Sequence, residues 1–198
     1  IVNSFVSKNE DLILANATAP LQSAAAATTD IPILGTSVTD YATALDISGW
    51  SGTTGRNISG TSDLAPLSEQ AAMLNELFPD AKNVGLLYCS AEANSQYQID
   101  VIKEELEKLN YTCTAYSFVD SNDIASVVQS AVNDNDVLYI PTDNTAASNT
   151  EVINNIAGEA GVPIIAGEAG ICKGCGVATL SISYYDLGYQ TGKMAYEI

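Results

Sequence analysis

Residues 83–95 read NVGLLYCSAEANS, and this stretch decides the predicted fold. Its first half contains Val84–Tyr88, a nearly continuous apolar run that is typical of a strand buried on both faces of a parallel sheet. Small polar residues follow at Ser90–Ser95. From there to Leu109 apolar residues recur every three to four positions, which is the period of an amphipathic helix. The stretch is therefore predicted to form a strand, a polar loop and a helix.

The same strand–loop–helix pattern repeats along the chain. Apolar runs predict strands at Leu12–Ala15, Ile31–Leu34, Val84–Tyr88, Cys113–Phe118, Val137–Ile140 and Val162–Ala166. Helical spacing predicts helices at Pro20–Ala27, Leu67–Leu77, Ser95–Leu109, Ser121–Val132 and Thr145–Ala160. This alternation is typical of α/β proteins with doubly wound parallel sheets.

The alternation is interrupted by a stretch rich in Gly, Ser and Thr, Ser48–Gly60, which predicts a boundary between two lobes. We expect residues 1–62 and 181–198 in the first lobe and residues 63–180 in the second. The tail Val177–Ile182 with Tyr184–Glu197 is expected to return to the first lobe. Only two predicted strands fall in that lobe, so we expect it to be incomplete in this chain or to borrow strands from elsewhere.

The composition argues against several classes of function. The 198 residues include 24 acidic and 7 basic side chains, a formal net charge of −17, and no histidine. This charge repels nucleic acids and anionic lipid surfaces, and the lack of histidine removes Ser-His-Asp triads and His-ligated zinc. No apolar run approaches the length of a membrane span. We predict no nucleic-acid partner, no membrane insertion of this segment, and neither a metal nor a cofactor.

Polar residues follow the predicted strands, at the edge of a parallel sheet where ligands bind. The candidate ligand-binding residues in these loops are Thr18, Thr39, Asp40, Ser90, Glu92, Ala93, Asn94, Asp143, Asn144 and Glu168. Helix capping is the alternative interpretation of each loop, because Ser, Thr, Asp and Asn are preferred N-caps. Asp143 and Glu168 are expected to fit capping least well, since each follows a strand predicted to be fully buried.

The sequence contains no recognisable catalytic motif. It contains no phosphate-binding loop, nucleophile elbow or dinucleotide fingerprint, and we predict that the chain is not an enzyme. Proton transfer between carboxylates is the enzymatic alternative, with Asp40, Glu92, Asp143 and Glu168 as its candidates. The segment Cys172-Lys173-Gly174-Cys175 is a C-x-x-C motif in a predicted glycine-rich turn, and it leaves open a local disulfide or two free thiols.

Several strings together resemble one protein family. The most specific are SAEANS at Ser90–Ser95, PTDNT at Pro141–Thr145 and YYDLGYQTG at Tyr184–Gly192. The chain resembles, over nearly its whole length, the ABC-transporter substrate-binding proteins of the tryptophan/tyrosine type. The resemblance implies a type 1 periplasmic-binding-protein fold, in which two α/β lobes close over a small molecule, with crossings near Ser59–Asp63 and Val177–Ser183. It also implies a further strand, helix and strand before the first lobe.

The resemblance implies a function as well. The chain would be the extracytoplasmic binding component of an importer, either periplasmic or a cell-surface lipoprotein, with an ABC permease as its partner. An amino acid, preferably aromatic, is the expected ligand. Its carboxylate is expected near Ala93–Ser95 or Thr18, and its ammonium group near Asp143 or Glu168. A ligand-sensing domain and a binder of sugars or nucleosides are the alternatives with the same fold.

Overall fold

The apolar runs of the sequence form two separate parallel sheets, as predicted. The computed structural model describes the whole chain, Ile1–Ile198. Its strands are β1 (Ile13–Asn16), β2 (Ile33–Val38), β3 (Ile58–Ser62), β4 (Asn83–Cys89), β5 (Thr112–Phe118), β6 (Val137–Ile140), β7 (Ile164–Ala166) and β8 (Ala178–Thr179). One sheet has the order β1-β2-β3, the other the order β5-β4-β6-β7-β8, and all pairings are parallel.

Ten helices accompany these strands. They are α1 (Val2–Ser7), α2 (Thr18–Ala27), α3 (Tyr41–Leu45), α4 (Leu67–Leu77), α5 (Ala93–Lys108), α6 (Ile124–Asp134), α7 (Asn144–Ala147), α8 (Thr150–Ala160), α9 (Ala169–Cys175) and α10 (Tyr184–Glu197). None of them combines the length and the apolar character that crossing a membrane would require.

The two sheets belong to two compact units. The first unit comprises Ile1–Leu64 and Ile182–Ile198, and it contains the three-stranded sheet. Its core gathers apolar side chains of β1, β2 and α2, among them Ile13, Leu21 and Ile33. On β1 buried and exposed residues alternate, so that one face of this strand packs on the core while Leu14 stays exposed.

The second unit, Ala65–Ser181, is built around the five-stranded sheet. All residues of β6 and β7, and all of β4 except Asn83, are buried, which explains why these strands read as continuous apolar runs. Helix α6 covers part of the sheet with Ile124 and Val128, which belong to the same core as Leu87 and Phe118.

Several predicted elements differ from the structure. The six predicted strands are present, Val137–Ile140 with the predicted bounds and the other five with one or both ends shifted. Strands β3 and β8 add two more, so the first unit has three strands rather than two. The predicted helix Thr145–Ala160 is two helices, α7 and α8. The chain turns between them, where Asn149 Nδ2 donates to the Thr145 carbonyl at 2.7 Å and Ser148 Oγ donates to the Asn144 carbonyl at 2.9 Å.

The segment after β7 also differs from its prediction. The C-x-x-C motif lies in α9 and not in a glycine-rich turn, because Glu168 caps this short helix in spite of its glycines. The segment Val177–Ile182 is predicted to return to the first unit, but two of its residues, Ala178 and Thr179, form β8 instead. This strand pairs with β7 in the five-stranded sheet, and only Ile182 and the residues after it belong to the first unit.

Candidate functional site

The order of the five-stranded sheet creates a switch point between β4 and β6. From β4 the chain moves to β5 on one side and then crosses to β6 on the other. In open parallel sheets ligands bind in the crevice outside the carboxyl ends of the strands at such a point. The loops after β4 and β6 contain six of the candidate residues, Ser90, Glu92, Ala93, Asn94, Asp143 and Asn144.

Glu92 joins these two loops. Its Oε1 accepts hydrogen bonds from the Thr145 amide at 2.9 Å and the Thr145 hydroxyl at 2.7 Å. Its Oε2 accepts from the Asn144 amide at 3.0 Å, from Asn144 Nδ2 at 2.7 Å and from Asn94 Nδ2 at 3.2 Å. Burial would raise the pKa of the Glu92 carboxyl, but these hydrogen bonds outweigh it and the pKa lies below its usual value. The carboxylate is therefore held ionised at the start of α7.

Asp143 lies beneath this network with only 1% of its surface exposed. Oδ1 accepts from the Ala146 amide at 2.8 Å and so caps α7, and Oδ2 accepts from the Cys89 amide at 2.7 Å. The Ser95 hydroxyl hydrogen-bonds the same carboxyl group. Burial, with a contribution from the charge of Glu92, raises the pKa of Asp143 above its usual value. The expectation that helix capping fits Asp143 poorly is wrong, because one of its carboxylate oxygens caps α7 while the other accepts from the amide of Cys89 at the end of β4.

Two amide side chains of α5 fix the backbone between β6 and α7. Asn94 Nδ2 donates to the Thr142 carbonyl at 3.3 Å. Gln98 is fully buried and contacts the same residue twice, since its Nε2 donates to the Thr142 carbonyl at 3.0 Å and its Oε1 accepts from the Thr142 amide at 3.1 Å. The position of this loop is thus determined by side chains of the neighbouring helix.

Glu168 follows β7, the strand next to β6 in the sheet. Its carboxylate accepts from the Gly170 amide at 2.6 Å and from the Ile171 amide, and so it caps α9. The expectation that Glu168 resists capping is therefore also wrong. Glu168 differs from Asp143 in being only half-buried, which leaves part of this residue open to solvent.

The remaining candidates of the second unit lie at the start of α5. Ala93 is the first residue of this 16-residue helix, whose first amides have no partner within the helix. Ser90 is exposed and is tied to the end of β5, because its amide and its hydroxyl both donate to the Phe118 carbonyl, at 2.9 and 3.2 Å. The start of α5 can therefore offer amide donors and a favourable helix dipole to an anionic group.

The candidates of the first unit lie at the carboxyl ends of β1 and β2. Asp40 caps α3 by accepting from the Thr43 amide at 2.7 Å. Thr39 is buried, and its hydroxyl donates to Asp63 Oδ1 at 3.0 Å. Thr18 is buried as the first residue of α2. Thr39 and Asp40 are consecutive residues directly after β2, and neither of them forms a hydrogen bond with Thr18.

The loop before Thr18 has an unusual backbone. Ala17 has φ 86° and ψ 165°, a conformation that is open essentially only to glycine. It is held there by its amide, which donates to the carbonyl of Thr36, a residue of β2, at 2.9 Å. Strained backbone of this kind clusters at binding sites, so the conformation of Ala17 makes this edge of the small sheet a candidate.

Some residues of these networks were not among the candidates. Gln98 follows Asn94 by four positions and lies on the same face of α5 as the buried Ile102. The helical period could therefore have identified Gln98 as a buried polar residue. Asp63 is buried and accepts from Thr39 and, at 3.1 Å, from the Tyr184 hydroxyl. Asp63 could have been identified only from its position directly after β3, and the sequence does not predict β3 as a strand.

The arrangement provides hydrogen-bond donors, acceptors and half-buried acidic residues, but no grouping of three or more potential metal ligands. Such a surface can bind a small polar or zwitterionic molecule by hydrogen bonds and charge.

The whole chain is similar to one protein family. The profile of a family described as ABC transporter substrate binding protein matches residues 1–198. A curated relative, the Tyrosine-binding protein of Clostridioides difficile (strain R20291), is 36% identical over 198 residues, which are 100% of this chain and 57% of the relative. The chain thus spans little more than half of that relative's length.

Solved structures are similar as well. The ABC domain in complex with L-Trp from Streptococcus pneumonia has a TM-score of 0.93 and 31% identity, over 98% of this chain and 67% of that one. A ligand-free, open structure of a substrate binding protein with adhesive properties from Clostridium difficile has a TM-score of 0.68 and 38% identity, over 99% and 66%. These similarities confirm the predicted fold class and the resemblance found in the sequence.

Proposed function

The chain belongs to the ABC transporter substrate-binding protein family, and on that premise we propose that it binds an aromatic amino acid for delivery to an ABC permease. Two relatives support the choice of ligand, because one is named as tyrosine-binding and another was crystallised with L-Trp. The protein would act outside the cytoplasm, as a periplasmic protein or a cell-surface lipoprotein, and would do no chemistry on its ligand. The predicted division into lobes, residues 1–62 with 181–198 and residues 63–180, is part of this proposal.

The observation that carries the proposal is the Glu92 network at the switch point between β4 and β6. It uses five donors to fix the loops that end these two strands. Fixing a loop before the ligand arrives lowers the entropy that binding has to overcome. Glu92 and Asp143 therefore serve to position the loops, with Asn94 and Asn144 as their partners.

The polar end of an amino acid fits the groups that remain. Its carboxylate would meet the amides at Ala93 and Asn94, where the dipole of α5 favours a negative charge. Its ammonium group would meet Glu168, a half-buried residue, rather than Asp143, which is buried. Thr18, Thr39, Asp40 and Ser90 remain candidates for further polar contacts.

A pair of variants tests the role of Glu168. We expect Glu168→Gln to weaken binding of L-tyrosine or L-tryptophan roughly ten- to a hundredfold, as the loss of a charge-assisted hydrogen bond requires. Asp136→Asn is the matched control, because Asp136 also accepts from two amides, Lys82 at 2.8 Å and Asn83 at 2.9 Å, but at the opposite ends of the strands. Calorimetric titration of both variants measures the difference.

The control also separates binding from capping. If Glu168 serves only as a cap, both variants will lose a little stability and both will keep the affinity of the unchanged protein. The alternative ligands are tested in the same titrations with a hexose and a nucleoside. A sugar or nucleoside that binds where the aromatic amino acids do not would favour the alternative binder of the same fold.

A further inference from the structure

Helix α9 carries two cysteines on one side. Cys172 and Cys175 are three residues apart, and residues at this spacing are neighbours on a helix surface. Both thiols are free, and both side chains pack against the core of the second unit. The Cys175 thiol donates to the Ile171 carbonyl at 3.4 Å. No contact of the proposed amino-acid site uses either side chain.

The geometry of the helix suits a bridge between them. The rise and radius of an α-helix place Cα atoms three residues apart at about 5 Å, within the range that disulfides span. The backbone can also adjust, because Gly174 lies between the two cysteines and Gly176 ends the helix. The start of the helix, in contrast, is held by the cap at Glu168.

We propose that Cys172 and Cys175 are a modification site, at which an intramolecular disulfide fastens the last turn of α9. The oxidant is a small-molecule disulfide. The thiolate of Cys172 attacks one of its sulfur atoms and displaces the first small thiol, which leaves a mixed disulfide on Cys172. The thiolate of Cys175 then attacks the Cys172 sulfur and displaces the second. Two protein thiols are oxidised, the small disulfide is reduced to two thiols, and these take up the two protons.

The surroundings of the thiols indicate a structural bridge and not a catalytic one. Burial, with the nearby Cys172 and Glu168, raises the pKa of Cys175 to about 12, and burial with Glu168 also raises the pKa of Cys172. Catalytic C-x-x-C pairs are strong oxidants when their surroundings stabilise the thiolate. The surroundings of Cys172 and Cys175 instead favour the protonated thiol. The bridge forms slowly and, once formed, resists reduction.

The bridge would act on the segment after β7. Glu168, at the start of α9, is the proposed partner of the ligand's ammonium group, and β8 follows the end of the helix. Within α9 the Cys172 amide donates to the Glu168 carbonyl at 3.0 Å, and the Gly176 amide donates to the Cys172 carbonyl at 2.9 Å. Closing Cys172 to Cys175 strengthens the last of these turns and stabilises the helix that presents Glu168.

Lys173, which lies between the two cysteines, makes the test direct. The folded protein is incubated with excess oxidised glutathione, which is then removed. The protein is unfolded without reductant in the presence of an alkylating agent, which blocks every free thiol as it becomes exposed, and is digested with trypsin. Cleavage after Lys173 separates the two cysteines into different peptides. The disulfide is present if the peptide that ends at Lys173 and the peptide that begins at Gly174 stay joined until a reductant is added.

Variants and a second measurement complete the test. Cys172→Ser and Cys175→Ser should each abolish the joined pair, whereas Cys113→Ser, on β5, should retain it. Amide hydrogen exchange of α9 should be slower in the oxidised protein. Recovery of both cysteines as alkylated thiols or as glutathione adducts would overturn the proposal, and so would faster exchange of α9 after oxidation.

Discussion

The carboxylate of Glu92 accepts hydrogen bonds from both the amide and the hydroxyl of Thr145, at 2.9 and 2.7 Å. Glu92 immediately precedes α5 and Thr145 lies in α7, so this contact connects the loops that follow two adjacent strands. Glu92 thus helps to hold the two edges of the proposed binding crevice in place, together with Asp143 and Gln98.

Replacing Glu92 by Gln should therefore destabilise the second unit. The Gln side chain puts an amide NH2 where one carboxylate oxygen accepts at least two hydrogen bonds, so donors would face donors. We expect a loss of about 2 kcal/mol in the free energy of unfolding, measured by denaturant titration. Glu69→Gln is the matched control, because Glu69 is exposed on α4, and it should change the stability by less than about 0.5 kcal/mol. Equal effects of the two substitutions would contradict the role of Glu92.

The cost of Glu92→Gln should depend on pH. The pKa of Glu92 is lowered in the folded protein, so its carboxylate contributes stability above its unfolded pKa, about 4.3, and loses it as the pH falls through the folded value. Protonated Glu92 resembles Gln in having only one full acceptor. The difference in unfolding free energy between the unchanged protein and the variant should thus be largest near neutral pH and shrink below about pH 4. A difference that stays constant would show that the charge of Glu92 has no role.

Substitution of Gln70, which lies outside the Glu92 network, should destabilise the second unit at least as much as substitution of Glu92. It is fully buried, its Oε1 accepts from the Tyr139 hydroxyl at 2.6 Å, and its Nε2 donates to the carbonyls of Gly167 and Leu180 at 3.1 and 2.7 Å. Gln70→Leu leaves these groups unsatisfied and should cost roughly 2–4 kcal/mol of stability.

Tyr139→Phe provides the test of this coupling. In a double-mutant cycle the two substitutions should cost less together than the sum of their separate effects, because Gln70→Leu already leaves the Tyr139 hydroxyl without its acceptor. Strictly additive losses would contradict a direct interaction.

Ala17 offers a substitution of the opposite sign. Its conformation costs an alanine on the order of 1–3 kcal/mol and a glycine little, so Ala17→Gly should stabilise the first unit by about 1 kcal/mol after the greater freedom of glycine in the unfolded chain is counted. Ala26→Gly, at an exposed position of α2, should instead destabilise it by about 0.5–1 kcal/mol. The midpoints of thermal unfolding of both variants test this prediction. If both substitutions lower the midpoint, the backbone of Ala17 is not strained.

Sequence patterns identified the fold wherever local and tertiary signals agree. Leu67–Leu77 and Val137–Ile140 have the predicted bounds, because a helical period and a short apolar run each fit the final burial of their residues. The strand Ile58–Ser62 could not be recognised in this way, since ISGTS has few apolar residues and pairs with β2 only in the folded sheet. The helix Ala169–Cys175 contains two glycines and depends on the cap supplied by Glu168.

The sequence could propose residues for the candidate site, but it could not assign their roles. Loops after parallel strands contain the same Ser, Thr, Asp and Asn residues whether they cap a helix or contact a ligand. Only the structure shows that Asp143 and Glu168 each use both carboxylate oxygens on amides within the protein, and that Asp143 is buried whereas Glu168 is half-buried. Neither the network of Glu92 nor the two contacts of Gln98 with Thr142 could be predicted, because each joins residues more than forty positions apart.

The central claim is that the protein binds an aromatic amino acid, and isothermal titration calorimetry of the folded protein with L-tyrosine and L-tryptophan tests it most directly. L-alanine is the reference, because it has the same ammonium and carboxylate groups and lacks the ring. We predict saturable one-to-one binding of at least one aromatic amino acid, at least about tenfold tighter than that of L-alanine, which corresponds to about 1.4 kcal/mol. Titrations of both aromatic amino acids that show no binding to a protein proven to be folded would contradict the claim.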